Sequence, residues 1–299
     1  HRVVGWVNGL RTLSKQGMHV AHEFLALDHL LHDMRLYKSR AELELMRRAA
    51  GIGVAAHRRA MAYCQPGRWE YEVMAEIVHE FRRNDADTSY HPIVGSGRNS
   101  CVLHYRDNNA ELKDGDLLLI DAGCEYRYYA SDITRTLPVS GRYSPEQRAV
   151  YEIVLEAQRA AIGKVRAGNH WNEPHDAAVR TITHGLVKLG LLKGKPASLI
   201  RDSAYKPFFM HRTGHWLGMD VHDVGDYKVD GEWRVLEPGM VTTVEPGIYI
   251  PAGMPRVARK WWNIGVRIED DVVVTRGAPE VLTAGLPTEP DEIERAMNG

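Results

Sequence analysis

The chain has three cysteines in 299 residues, Cys64, Cys101 and Cys124, an odd number with no CxxC pair. That argues against a disulfide framework and a thiolate zinc site, favours a reducing, cytoplasmic setting, and leaves each thiol as an ordinary buried residue. No apolar run approaches the roughly 18 residues needed to span a bilayer, and the opening HRVVGWVNGL has no apolar core long enough for a signal peptide. Neither sign of charge dominates. A formal net charge of −1 gives no general pull toward nucleic acid or anionic lipid, and directs attention to small molecules and peptides. Familiar catalytic signatures are missing too: there is no G-x-S-x-G elbow, no GxxxxGK[ST] phosphate loop and no HExxH helix.

What is present is duplication. Leu112 to Gly123 (LKDGDLLLIDAG) and Leu236 to Gly247 (LEPGMVTTVEPG) superimpose without a gap. Each reads Leu, two variable residues, Gly, an apolar run, then a carboxylate followed two places later by Gly, so Asp121 falls on Glu245. The surroundings repeat as well. Ser39 and Glu42 form a capping box ahead of a helix expected over Arg40 to about Tyr63, stopped by Gln65-Pro66-Gly67, and a second helix is expected over Trp69 to Arg83. Short β-rich runs follow from Thr88 to Leu137, with Leu117 to Asp121 an uninterrupted apolar strand. Ser144, Pro145 and Gln147 then make a second capping box for a helix reaching about Arg166, and Asn172 is placed to cap another ending near Gly190. Beyond Pro207 the β pattern returns, clearest at Met240 to Glu245 and Gly265 to Thr275. Helix, helix, sheet appears twice. The expected fold class is α+β, with two pseudo-symmetric halves that bring their twin acids to one place.

Asp132 follows Asp121 by 11 residues, and Gly123 with Glu125 to Arg127 suits a hairpin that returns it alongside. Glu269 is the matching partner of Glu245, on the strand where Arg267 shares its face two residues away. A lone strand-end acid is most simply a cap or a surface charge. Four in duplicate, at the end of a buried apolar sheet, call for a compensating cation. His211, His215 and His222 fall within FMHRTGHWLGMDVHDVG and His104 within VLHYR, while Gly214 and Gly218 let the backbone at His215 approach a site closely. His57, His79, His170, His175 and His184 read as ordinary surface or core residues. Oxygen donors with one imidazole suit manganese, cobalt, iron or zinc, and bridging carboxylates point to two ions and to hydrolysis.

Asp121 in IDAG, Asp132 in SDITRT, His215 in GHWLGMDVHD, Glu245 in TVEPG and Glu269 in GVRIEDD resemble the five-ligand signature of the metallopeptidases with the pita-bread fold. Met34 to about Leu282 is similar to their catalytic domain, and the wording of GHWLGMDVHD and GVRIEDD is most similar to the aminopeptidase P branch, the Xaa-Pro aminopeptidases, with prolidase a near neighbour. The resemblance implies two divalent ions, usually manganese with cobalt or zinc as substitutes. Asp132 and Glu269 would bridge them, Asp121 would serve one ion, and His215 with Glu245 the other. It further implies a bridging hydroxide that attacks the peptide carbonyl, His222 stabilising the oxyanion, and His104 and His211 contacting substrate or aiding proton transfer. Arg267 would orient Glu269, and Tyr249 would line the pocket. The implied reaction removes the first residue from peptides with proline second. The alternatives are a prolidase-type dipeptidase and a metal-free module that only binds.

The resemblance also implies a peptide substrate, no nucleic acid or membrane partner, and assembly into a homo-oligomer. Residues 1–35 read as a remnant or linker from an upstream domain, and 36–299 as the catalytic domain. Pro251 to Asn263 (PAGMPRVARKWWN) is a basic, aromatic insertion, read as a loop packing Trp261 and Trp262 beside the cleft, or as a grip for an acidic partner.

Overall fold

The computed structural model describes residues 1–21 and 23–298; residue 22, inside the expected linker, and residue 299, at the end of the expected catalytic domain, lie outside the described residues. Helix α1 (Arg2–Thr12) buries none of its residues, and α2 (Asp28–Leu36) leads into the core at Leu36. Each half then starts on a capping box. Ser39 and Glu42 exchange side-chain and backbone hydrogen bonds to open α3 (Arg40–Tyr63), which packs along α4 (Glu70–Arg83). Strands β1 (Asp87–Thr88), β2 (Ile93–Ser96), β3 (Leu117–Asp121), β4 (Cys124–Tyr126), β5 (Tyr129–Ala130) and β6 (Thr134–Pro138) complete the first half.

Ser144 and Gln147 repeat the box, with Pro145 at the first helical position, to open α5 (Pro145–Ile162), which packs on α6 (Glu173–Lys188). There follow α7 (Pro196–Arg201), β7 (Lys228–Val229), β8 (Glu232–Trp233), β9 (Val241–Val244), β10 (Gly247–Ile250), β11 (Ile264–Arg267), β12 (Asp270–Val273), β13 (Glu280–Val281) and α8 (Pro290–Asn298). Two expectations shift here. Helix α5 ends at Ile162, four residues before Arg166, and a tight turn from Gly163 carries Val165 into the core. Asn172 stands at the head of α6 but donates to Asp176 at 2.7 Å rather than capping the backbone, and Glu173 takes the His170 N–H instead.

The twin segments are alike in conformation as well as in letters. Gly115 and Gly239, at matching positions, hold left-handed backbones with φ of 80° and 94°. The second glycine of each pair is fixed by packing. A Cβ on Gly123 would lie 1.7 Å from the Ser131 carbonyl oxygen, and one on Gly247 would lie 2.9 Å from that of Val266. Strand β3 pairs antiparallel with β2 and β6, placing Asp121 opposite Thr134; β9 pairs with β12, placing Val244 opposite Asp270. The β4–β5 hairpin, turning on Arg127 and Tyr128 in left-handed backbone, returns the chain to Asp132.

The expected strand Gly265 to Thr275 is two strands. β11 pairs with β10, whereas β12 pairs with β9 and β13, and the chain changes partner at Ile268–Glu269 because the Glu269 N–H bonds across to the Thr134 carbonyl of the first half. Arg135 locks this seam. Its buried guanidinium donates to Asp270 at 2.8 Å and to the carbonyls of Thr134, Glu269, Leu286 and Pro287. The insertion Pro251 to Asn263 packs against α5 rather than beside the cleft. Trp261 is buried there, and Lys260 pairs with Glu146 on α5 at 3.2 Å.

Behind the IDAG turn, His57 of α3 is fully enclosed, with Nε2 donating to the Ala122 carbonyl at 3.0 Å and Nδ1 unpartnered. Burial lowers its pKa to about 4. The folded state therefore resists protonation, so this stability is complete above the ordinary value near 6.5 and is lost as pH falls toward 4. His57→Gln, which keeps the donor and removes the titration, is expected to lose about 2 kcal/mol less than the parent between about pH 7 and about pH 4.5. Urea unfolding at the two pH values checks this; parallel losses in both proteins would refute it.

Candidate metal centre

The strand ends of both halves open into one cavity of about 410 Å³. Asp121, Asp132, Glu245 and Glu269 line it together with His104, His211, His215, His222 and Arg267. The sequence therefore picked residues that the fold brings together, Tyr249 excepted. At its floor, donor atoms of Asp132, His215 and Glu269 all lie within 4.8 Å of one another. Asp121 and Glu245 line the same cavity but fall outside that tight group; Glu245 approaches it through His215, at 3.8 Å.

Three of the acids are held by hydrogen-bonding partners. The Arg267 guanidinium donates to Asp121 Oδ2 at 2.5 Å, and the Thr134 hydroxyl donates to Glu269 Oε2 at 2.6 Å. Tyr90 was invisible to the sequence reading. Its buried hydroxyl lies 2.5 Å from both Asp121 Oδ1 and Asp132 Oδ1, yet it has one proton for two carboxylates. The only signal for it is positional, since β2 pairs with β3 and so draws the preceding Tyr90 to the Asp121 end.

The electrostatics show too little positive charge for the acids present. Burial raises Asp121 against the pull of Arg267, raises Glu245 to about 7, and, together with Asp132, Glu245 and Asp121, raises Glu269 far above the carboxylate range. Burial opposes a charged His215, but Asp132 at 3.3 Å and Glu245 lift it to about 9. The ring orientation is informative. His215 Nδ1–H donates to the Trp216 carbonyl at 2.9 Å, which turns Nε2 toward the acids, the orientation of a metal-ligating imidazole. Carboxylates short of cations around an aimed imidazole fit a hard or borderline divalent ion.

The remaining histidines divide. His211 Nδ1–H donates to the Arg212 carbonyl at 2.7 Å and Nε2 accepts from the Tyr249 hydroxyl at 2.9 Å, so both nitrogens are engaged and burial lowers its pKa to about 3. Tyr249 departs from its expected place on the pocket wall: it is buried behind that wall at 1% exposure, accepting from Arg267 at 3.0 Å and positioning His211. His104 and His222 are exposed on the cavity wall, and neither ring is hydrogen-bonded among the described residues. The loop carrying His222 is anchored beneath by Asp223, whose carboxylate meets buried Lys38 at 3.0 Å and Arg35 at 2.5 Å. A Cβ on Gly218 would lie 2.0 Å from that carboxylate, which accounts for glycine there.

Residues 44–276 match the model of metallopeptidase family M24. The chain is 50% identical over 289 residues to the Xaa-Pro aminopeptidase of Escherichia coli, covering 96% of this chain and 65% of that protein. It is 49% identical over 277 residues to that of Haemophilus influenzae, covering 92% and 64%. It spans just under two thirds of the length of these relatives. Among solved structures, a Pseudomonas aeruginosa aminopeptidase matches with a TM-score of 0.97 at 60% identity, covering 99% of this chain and 67% of that one. Escherichia coli aminopeptidase P in complex with substrate matches at 0.95 and 48%, with 99% and 67% covered. The two halves thus form the pita-bread fold, and the chain belongs to metallopeptidase family M24.

Proposed function

We propose that this chain carries the active site of a metal-dependent aminopeptidase that removes the first residue from peptides with proline second. The observation that carries the reading is the donor cluster of Asp132, His215 and Glu269 on the floor of a histidine-walled cavity. The naming of relatives near 50% identity as Xaa-Pro aminopeptidases supports the specificity. Residues 36–299 would be the catalytic unit and residues 1–35 a linker into it, exposed at α1 and joined to the unit through Arg35, a reading supported by the family match from residue 44. A cytoplasmic setting rests on three cysteines that form no disulfide.

In this reading Asp121, Asp132, His215, Glu245 and Glu269 hold two divalent ions, manganese first, with cobalt or zinc as substitutes. When bound, such ions polarise a carbonyl and make water nucleophilic at neutral pH. The chain's own residues do the rest. Arg267 fixes Asp121 while Tyr249 and Arg267 together fix His211, so the wall facing the substrate is rigid. His222, with a ring nitrogen unengaged, donates to the oxygen that gains charge at the scissile carbonyl. His104 is placed to hand a proton to the departing imino nitrogen, which as a proline nitrogen has no N–H of its own in the substrate.

Three outcomes are expected. Manganese stabilises the folded protein, by about 2.7 kcal/mol per site at a free ion concentration a hundredfold above Kd, and so raises the thermal midpoint, and Glu269→Gln removes most of that gain; a scanning-calorimetry midpoint indifferent to manganese would sink the metal site. An Arg-Pro-Pro peptide is cleaved after its first residue while Gly-Pro is a poor substrate, as product analysis would show, and exclusive turnover of the dipeptide would mean a prolidase instead. His222→Ala lowers kcat by about a hundredfold with KM little changed, the signature of a donor used in the transition state.

A further inference from the structure

The mouth of the cleft carries positive charge that the reaction does not use. Arg106 and Arg212 line the cavity from opposite halves, each close in sequence to a wall histidine, His104 and His211. Both side chains are exposed, and neither has a carboxylate within ion-pair distance among the described residues. Elsewhere on the surface arginines commonly close onto an acid, as Arg47 does on Glu280 and Arg82 on Asp87.

Arg212 is also held in place. Its guanidinium lies 5.0 Å from the centre of the half-buried Trp233 ring, and Lys228 Nζ lies 4.5 Å from the same ring. One indole thus gathers two like charges, which its negative face tolerates and no acid neutralises. On the other wall the Arg106 carbonyl accepts from His91 Nε2 at 3.3 Å, tying that loop to the segment before β2. The acids of the floor do not cancel this rim. They are buried, already short of cations, and engaged with Arg267 and His215.

We infer that Arg106 and Arg212 form a rim that reads a carboxylate on the substrate beyond the proline. This rests on the aminopeptidase reading given above. A peptide whose first residue reaches the floor must leave the cleft across this mouth, so the rim meets whatever follows the proline. Two sources offer the same chemistry: the free carboxyl terminus of a short peptide, and an Asp or Glu side chain in a longer one. A guanidinium pairs with either in the same two-pronged geometry.

The test compares peptides that differ in one charge. Ala-Pro-Ala with a free terminus is set against its amide, and amidated Ala-Pro-Glu-Ala against amidated Ala-Pro-Gln-Ala, each with the manganese-loaded protein. The charged member is expected to show about 5- to 10-fold higher kcat/KM, expressed in KM rather than kcat. That ratio should collapse toward one in Arg106→Gln/Arg212→Gln, and in the parent at about 1 M salt, where the Debye length is about 3 Å. The first pair alone responding identifies the terminus as the source, and the second alone the side chain. Equal kcat/KM within both pairs in the parent overturns the inference, as does a preference that survives in a double variant whose melting midpoint matches the parent. Absence of cleavage of all four peptides would instead overturn the aminopeptidase reading, and this inference with it.

Discussion

Four carboxylates open into one cavity at the ends of apolar strands, and their mutual repulsion is the constraint that the architecture answers. The compensation is exchanged between halves. Arg267 of the second half holds Asp121 of the first, while Arg135 of the first half holds Asp270 of the second. Each half thus carries an acid held by a guanidinium of the other, so neither is electrostatically complete by itself. Breaking one such buried pair leaves an uncompensated charge, typically a loss of about 3–5 kcal/mol. The seam between the sheets, where the Glu269 N–H bonds to the Thr134 carbonyl, is where these exchanges concentrate.

The site combines committed groups with uncommitted ones. His211, Tyr249 and Arg267 form a continuous hydrogen-bonded line ending on Asp121, and every polar group along it has a partner. His104 and His222 stand on the wall outside that line. His211 is tied into the wall at both nitrogens, whereas the rings of His104 and His222 are open to whatever enters. Within one cavity the fold separates these tasks by how many hydrogen bonds it gives each ring.

Much of this was legible in the chain. Capping boxes at Ser39 and Ser144 set the helix starts to the residue, because a cap is a local hydrogen-bond pattern among neighbours in sequence. The twin segments announced the paired acids, because a strand end and a turn glycine are also local. What stayed hidden depends on distant partners. Nothing near Tyr90 marks it as the hydroxyl shared by Asp121 and Asp132, since that contact is made by β2 pairing with β3. The apolar run from Gly265 looks continuous, yet it divides at Glu269 because Thr134, far away in sequence, competes for its backbone. Trp261 could not be assigned to core or cleft by its letters, because α5 supplies the surface that covers it.

Lys38 makes two contacts of different kinds: its backbone N–H bonds to the Gly239 carbonyl at 2.9 Å, and its ammonium meets Asp223 beneath the His222 loop. One residue therefore pins both a twin-segment turn and a cavity-wall loop, and it sits just after α2. Mechanically this is a lever. A pull on α2 would reach the His222 loop through Asp223 and, through the backbone, the Gly239 turn that leads into β9. The floor of the cleft and its wall thus share one anchor on the chain that enters them.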